Sequence, residues 1–542
     1  MSARRAAKLA ISAAVIYAVL ALPNHPNLMA WQALARVPLE LPVLLGAMLV
    51  LAPYRRAAAL VATVLTLCLM LTAAMKLADL AMFTAYQRPF NPMVDMSLAS
   101  AGVNLATNTF GNLAGYGFLV AFGSAFAGLA LAIWLSLMCW AKVSLPAVGR
   151  AVGGGVAVLF AAVTIADVGH RQSYWTLAQD PPGSSYTTWL SHRRLLMVQD
   201  TAAHLADFRA QARQDPYAHA SGLFVLIGDR DVLIVFIESY GRASFDHPPY
   251  AATHLPILTS AERTLAEAGL AMRSGWLKSP TAGGQSWLAH GAFASGLWTH
   301  DNGTYRAMLK SDRKSLFHLA QEAGFRTNVV MPAITMDWPE VNHMEFEQVV
   351  TADGLGYAGA PFNWVTMPDQ YTLSAYAPVL GTDARRDFTQ IALISSHAPW
   401  VPVAPILPWD DIGDGSVFTP HAEAGPTPRE VWQDRDWIRD QYRLSVAYSL
   451  EVTFDHIARI ADEEPLVIVL GDHQPAEFVA QGKSRAVPIH VIGPEDVLAH
   501  LEQWNWTEGL VPDADMPIWP MDGFRDRFIA AFSSPHVAEV AK

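Results

Sequence analysis

Cysteine is almost missing from this chain. The 542 residues hold two, Cys68 and Cys139, both inside apolar segments. No cysteine lies beyond Cys139. Disulfides, thiolate metal ligands and a cysteine nucleophile are therefore excluded from the whole C-terminal part. Charge is also sparse, at 16% of residues, and positive charge is the minority sign. The formal net charge of −12 disfavours nucleic acid as a main partner. Internal repeats and long low-complexity tracts are absent as well. What the chain has in excess is apolar surface, with 52% hydrophobic residues and a mean hydropathy of +0.21. A chain this long is expected to form at least two structural units.

The apolar excess sits at the N-terminus. Apolar segments lie at about 6–22, 38–53, 57–78, 112–141 and 151–168, several of them near the roughly 20 residues that a spanning helix needs. The expectation is a five-helix transmembrane bundle over 1–168. Arg4, Arg5, Lys8, Arg55, Arg56, Lys142 and Arg150 then share one side of the membrane. A cytoplasmic N-terminus follows, with everything after residue 168 outside. Lys76 and Asp79, near the outer end of the third segment, are expected to snorkel to water. The loop from about 80 to 110 reads as a re-entrant turn.

Residues 169–220 read as a partly helical connector. From 221 to 542 strand and helix patterns alternate, which predicts an α/β domain with a mainly parallel sheet flanked by helices. Its organising stretch is DVLIVFIESY, Asp231 to Tyr240. Val232 to Ile237 is a continuous apolar run, the mark of a strand buried on both faces. Such sheets place their chemistry outside the carboxyl ends of the strands, where Glu238 falls. Leu466 to His473, LVIVLGDH, repeats the grammar and delivers Asp472 and His473. Two strands placing Glu, Asp and His at equivalent ends predict one metal site.

Between these strands lies TAGGQSWLAHGAFASGL, Thr281 to Leu297. Gly283 and Gly284 give a turn, and Ser286 opens a helix. A hydroxyl there is either an N-cap or a nucleophile at the positive end of the helix dipole. His290, one turn on, is a candidate substrate contact or a packed core residue. Ile391 to Ser395 is a further strand candidate and leads to Ser396 and His397. An imidazole there can protonate a leaving group. Asp337, Trp338 and Trp400 are candidate substrate-binding residues on the same edge.

The ordered set FIES at Glu238, GGQSW at Ser286, SSHAPW at His397 and GDHQP at Asp472-His473 resembles the alkaline phosphatase–sulfatase superfamily. Five spans followed by an outward domain resemble its lipoteichoic acid synthase and phosphoglycerol or phosphoethanolamine transferase branch. The resemblance implies one divalent metal ion (Mn, Mg or Zn) on Glu238, Ser286, Asp472 and His473, with His397 on the substrate. Two departures stand out. The transferases use Thr where this chain has Ser286. The formylglycine motif of true sulfatases needs Pro and Arg where this chain has Leu288 and His290.

The expected function is transfer of a phospholipid-derived head group to an envelope glycan or glycolipid through a covalent serine, at a bacterial inner membrane. The phospholipid is the donor partner and the glycan or glycolipid the acceptor. The alternatives are a phosphodiesterase, phosphatase or sulfatase-type hydrolase, and a catalytically silent glycan-binding membrane protein. A transporter is disfavoured by the few polar residues within the spans.

Overall fold

The computed structural model describes residues 3–29, 36–96, 98, 112–336 and 338–540. The chain divides into two compact units. One comprises Met1–Thr84 with Arg88–His204, the other Ala85–Gln87 with Leu205–Lys542.

The first unit is helical. It contains α1 (Ala3–Ala21), α2 (Glu40–Leu51), α3 (Arg55–Tyr86), α4 (Asn112–Ala141), α5 (Ala147–Arg171) and the start of α6 (Tyr186–Ala212). Among the described residues three helices are long and apolar enough to cross a membrane: α3, the Gly115–Ala141 part of α4, and α5. The expected count of five is met only this far. At 12 residues α2 is about 18 Å long, short of a roughly 30 Å hydrocarbon core. Helix α1 carries Arg4, Arg5 and Lys8 within its 19 residues.

Lys76 and Asp79 do not snorkel. Both are fully buried. The Lys76 ammonium donates to the Leu20 carbonyl at 2.8 Å and to Thr187 Oγ1 at 2.9 Å. Asp79 accepts from Asn24 and from the Phe90 N–H, each at 2.9 Å, and pairs with Arg194. Removing a charge from water this completely requires partners of this kind. In the loop expected to be re-entrant, Arg88 forks onto Asp95 with two 2.7 Å bonds. Residues 97 and 99–111 of that loop lie outside the described residues.

The second unit is built on one nine-stranded sheet. Its strands are β1 (Val232–Ile237), β2 (Ala271–Lys278), β3 (Arg326–Met331), β4 (Gln348–Thr351), β5 (Asp387–Ala392), β6 (Leu466–Gly471), β7 (Ala486–Gly493), β8 (Thr507–Glu508) and β9 (Ile518–Pro520). The order is β4-β3-β5-β1-β6-β7-β2-β8, with β9 also on β2. The first five in that order are parallel. Strand β7 then runs antiparallel to both β6 and β2. The sheet is therefore mixed, where a mainly parallel one was expected. An apolar strand buried on both faces has the same composition in either direction, so β7 gave no warning of its reversal.

The two faces of the sheet carry separate cores. Leu233, Val235 and Ile237 of β1 pack on one. Val232, Ile234 and Phe236 pack on the other. Successive side chains of a strand point to opposite faces. That is why the run has no polar residue to spare.

Candidate active site

The site grows out of strand register. β1 and β6 are parallel neighbours with Ile237 opposite Gly471. The next residues, Glu238 and Asp472, must therefore emerge side by side. Gly471 makes the approach possible: a Cβ there would lie 1.7 Å from the Tyr240 carbonyl oxygen. Ser239 bends the chain away with φ of 58°, and its N–H donates to Asp472 Oδ1 at 2.9 Å. The His473 N–H donates to the same oxygen at 2.6 Å.

The Ser286 loop is stitched to this edge by its backbone. Ala282 bridges to Gln474, and the Gly283 N–H donates to the Gln474 carbonyl at 2.8 Å. Thr281 Oγ1 closes the turn on the Gly284 carbonyl at 2.7 Å. Gln285, at φ of 66°, turns the chain into helix α7 (Ser286–Ser295). Ser286 Oγ then donates to Glu238 Oε2 at 2.9 Å and lies 3.2 Å from His473 Nε2. His473 Nε2 is 3.2 Å from Glu238 and 3.7 Å from Asp472. One ligand atom from each of Glu238, Asp472 and His473 lies within 4.8 Å of the others, and all three residues are buried. His473 Nδ1 donates to the Gln474 carbonyl at 2.9 Å, which leaves Nε2 facing the cluster.

Electrostatics match this crowding. Burial alone would raise the Glu238 pKa, but the His473 imidazolium beside it, with help from His397, holds it well below the carboxylate range. Asp472 moves the other way, raised by burial and by the Glu238 charge. Burial would lower His473, yet the Asp472 and Glu238 carboxylates hold it at about 9. Two carboxylates this close call for a cation between them.

No protein-family model and no curated protein matches the sequence. Solved structures do. The chain is similar to the integral membrane lipooligosaccharide phosphoethanolamine transferase A (EptA) from Neisseria meningitidis, at 13% identity, with 75% of each chain covered and a TM-score of 0.40. It is similar to the phosphoglycerol transferase GacH of Streptococcus pyogenes at 12% identity, over 63% of this chain and 84% of that one, TM-score 0.38. A third is the lipoteichoic acid synthase LtaP from Listeria monocytogenes, at 13% identity, over 53% and 71%, TM-score 0.34.

The structure thus brings Glu238, Ser286, Asp472 and His473 together. His397 lies on a turn beyond β5, which ends at Ala392 and not at the expected Ser395. Its Nδ1 bonds the Ala398 carbonyl at 2.5 Å. His290 is buried with its ring 4.1 Å from Phe236, and among the described residues its Nε2 has no hydrogen-bond partner. Burial lowers its pKa to about 4, so it is neutral. Trp338 is half-buried, and Asp337 lies outside the described residues.

Trp400 is not a substrate-facing residue. It is buried, its N–H donates to the Ser396 carbonyl at 2.8 Å, and its ring stacks on Trp432. Through that bond its indole ties down the residue before His397. Sequence reasoning missed the supports. Ser279 Oγ donates to the Asp472 carbonyl at 2.6 Å, and Tyr442 donates to the Ser239 carbonyl at 3.0 Å. Both partners are distant in sequence, so no local signal points to them.

Proposed function

We propose that the chain is a membrane-anchored, metal-dependent transferase that moves a phospholipid head group to an envelope glycan or glycolipid through Ser286. The observation that carries this reading is the placement of Ser286 Oγ. It opens a helix and sits within 3.2 Å of both Glu238 and His473. The four ligand-type motifs named above support the same reading.

The residues present fit a divalent ion. Two carboxylates and an imidazole converge in a buried pocket, and oxygen with nitrogen donors suits Zn, Mn or Mg. Glu238, Asp472 and His473 would hold the ion, with the Ser286 hydroxyl beside them. When bound, it would lower the hydroxyl pKa and neutralise charge on the phosphoryl oxygens. The chain's own residues do the rest. Glu238 Oε2 accepts the Ser286 hydrogen bond and so orients the oxygen. The positive end of α7 favours the incoming phosphate.

Ser286 Oγ bonds to phosphorus as the ester bond to the lipid alcohol breaks. The hydroxyl proton passes to solvent. His397, oriented by its Nδ1 bond, protonates the departing alkoxide. In the second half an acceptor hydroxyl attacks the seryl phosphodiester and gives its proton to His397. Ser286 regains a proton on release. The seven basic residues of the first unit support an outer location for the catalytic unit, where a membrane phospholipid is the available donor. Anchoring keeps that two-dimensional substrate within reach.

Vesicles containing head-group-labelled phospholipid, with the metal ion and with or without a glycolipid acceptor, test this. Label on the acceptor is expected. Equal release of free head group phosphate without acceptor would make the protein a hydrolase. No release in any metal would overturn the enzyme reading.

A further inference from the structure

One buried carboxylate has no part in the chemistry above. Asp369 opens helix α8 (Asp369–Leu380) and is fully buried. Its Oδ1 accepts the backbone N–H groups of Ile394 and Ser395, each at 2.8 Å. Its Oδ2 accepts the Ser449 hydroxyl at 2.6 Å. The Asp369 N–H in turn donates to Ser395 Oγ at 2.8 Å. Among the described residues no cation is seen to act on it: burial raises its pKa, opposed only by hydrogen bonds from Ser449, Ser395 and Ile394. A charge left in the interior without a cation is costly unless its hydrogen bonds do structural service.

Those bonds fall at one place. Two consecutive N–H groups aimed at one oxygen fix the backbone just where β5 has ended. The turn that follows delivers Ser396, whose hydroxyl donates to the Glu238 carbonyl at 2.6 Å. It delivers His397 next, whose N–H closes the turn on the Ile394 carbonyl at 3.0 Å. Asp369 therefore holds the base of the segment that connects the general acid to the Glu238 strand end.

We propose that Asp369 is a positioning residue for His397. It clamps residues 394 and 395 so that the imidazole faces the Glu238–Ser286 pocket. The inference rests on the reaction proposed above. A shift of the turn by about 1 Å can cost roughly a hundredfold in rate.

The test uses the full-length protein in detergent or vesicles. Asp369→Ala is expected to lower kcat by roughly 10- to 100-fold, with KM and metal affinity little changed. Asp369→Asn keeps an acceptor oxygen for the two N–H groups and should recover most of that loss. The double variant Asp369→Ala/His397→Ala should be no slower than His397→Ala alone, because the first residue acts through the second. Additive losses would overturn the proposal.

If Asp369→Ala does not fold, the histidine ring signals of ¹³C-labelled full-length protein decide, with His397→Ala for assignment. The His397 signal should move in Asp369→Glu, whose extra methylene displaces the oxygen that the two N–H groups share, while the His473 signal stays. An unmoved His397 signal would overturn the proposal. Failure of the reaction itself would look different: the wild type would show no metal-dependent turnover, and the ring signal would still report on Asp369.

Discussion

Metal uptake should release protons, and the count follows from the pocket. Without an ion, the carboxylates of Glu238 and Asp472 hold His473 protonated up to about 9. Its ordinary value is 6.5, so the difference corresponds to about 3 kcal/mol of interaction with its neighbours. A ligating imidazole must be neutral. Binding therefore displaces this proton at any pH below about 9, and affinity rises about tenfold per pH unit up to that point. Asp472, raised by burial and by Glu238, adds a second proton in acid and steepens the slope. The sign in the metal-free protein is opposite. A raised His473 contributes stability that is complete below 6.5 and is lost as pH rises through about 9. Calorimetric titration with Mn²⁺ in buffers of different ionisation enthalpy counts the protons directly. About one is expected at pH 8 and more than one at pH 6. His473→Gln should weaken binding and flatten the slope. An affinity independent of pH between 6 and 8 would show that the ion does not displace His473's proton.

Other outcomes follow from the same geometry. Gly471→Ala puts a methyl carbon 1.7 Å from the Tyr240 carbonyl, so the β6 end must move by about 1.5 Å. The expected cost is about 1–3 kcal/mol in a denaturant titration and a larger proportional loss of metal affinity. His254, His456 and His490 are buried, and burial holds them at about 4, 4 and 3 against an ordinary 6.5. Each contributes stability present above 6.5 and lost as pH falls, about 3 kcal/mol apiece toward pH 4 for His254 and His456 and about 5 kcal/mol toward pH 3 for His490. Thermal melts of the protein should therefore fall steeply over that window. Asp79→Ala leaves Arg194 without its carboxylate and should lower stability by roughly 3 kcal/mol or more, read as a melting shift.

Much of the site could be read from residues close together in the chain. Val232 to Ile237 and Leu466 to Leu470 announce buried strands, and Glu238 and Asp472 are the first carboxylates beyond them. Parallel pairing does the rest, since equal strand ends bring those carboxylates together. Ser286 was visible because two glycines precede it. The parts that failed depend on partners far away. Lys76 is held by Thr187 and Asp79 by Arg194, more than a hundred residues on. A charge near a span end looks interfacial until those partners are placed. Trp400 was ambiguous because an indole suits either a sugar or a core. The structure packs it in the core, with its N–H on the Ser396 carbonyl. The reversal of β7 left no trace, because burial on both faces erases the alternation that marks an antiparallel strand.

A covalent phosphoryl link to Ser286 can be observed directly. Purified protein would be mixed with Mn²⁺ and phospholipid vesicles without acceptor, quenched in acid, digested and sequenced by mass spectrometry. The expected result is a head-group phosphate mass on Ser286, retained on Thr in Ser286→Thr and absent in Ser286→Ala along with all turnover. Full turnover by Ser286→Ala, with no modified residue, would contradict it and leave direct attack by water.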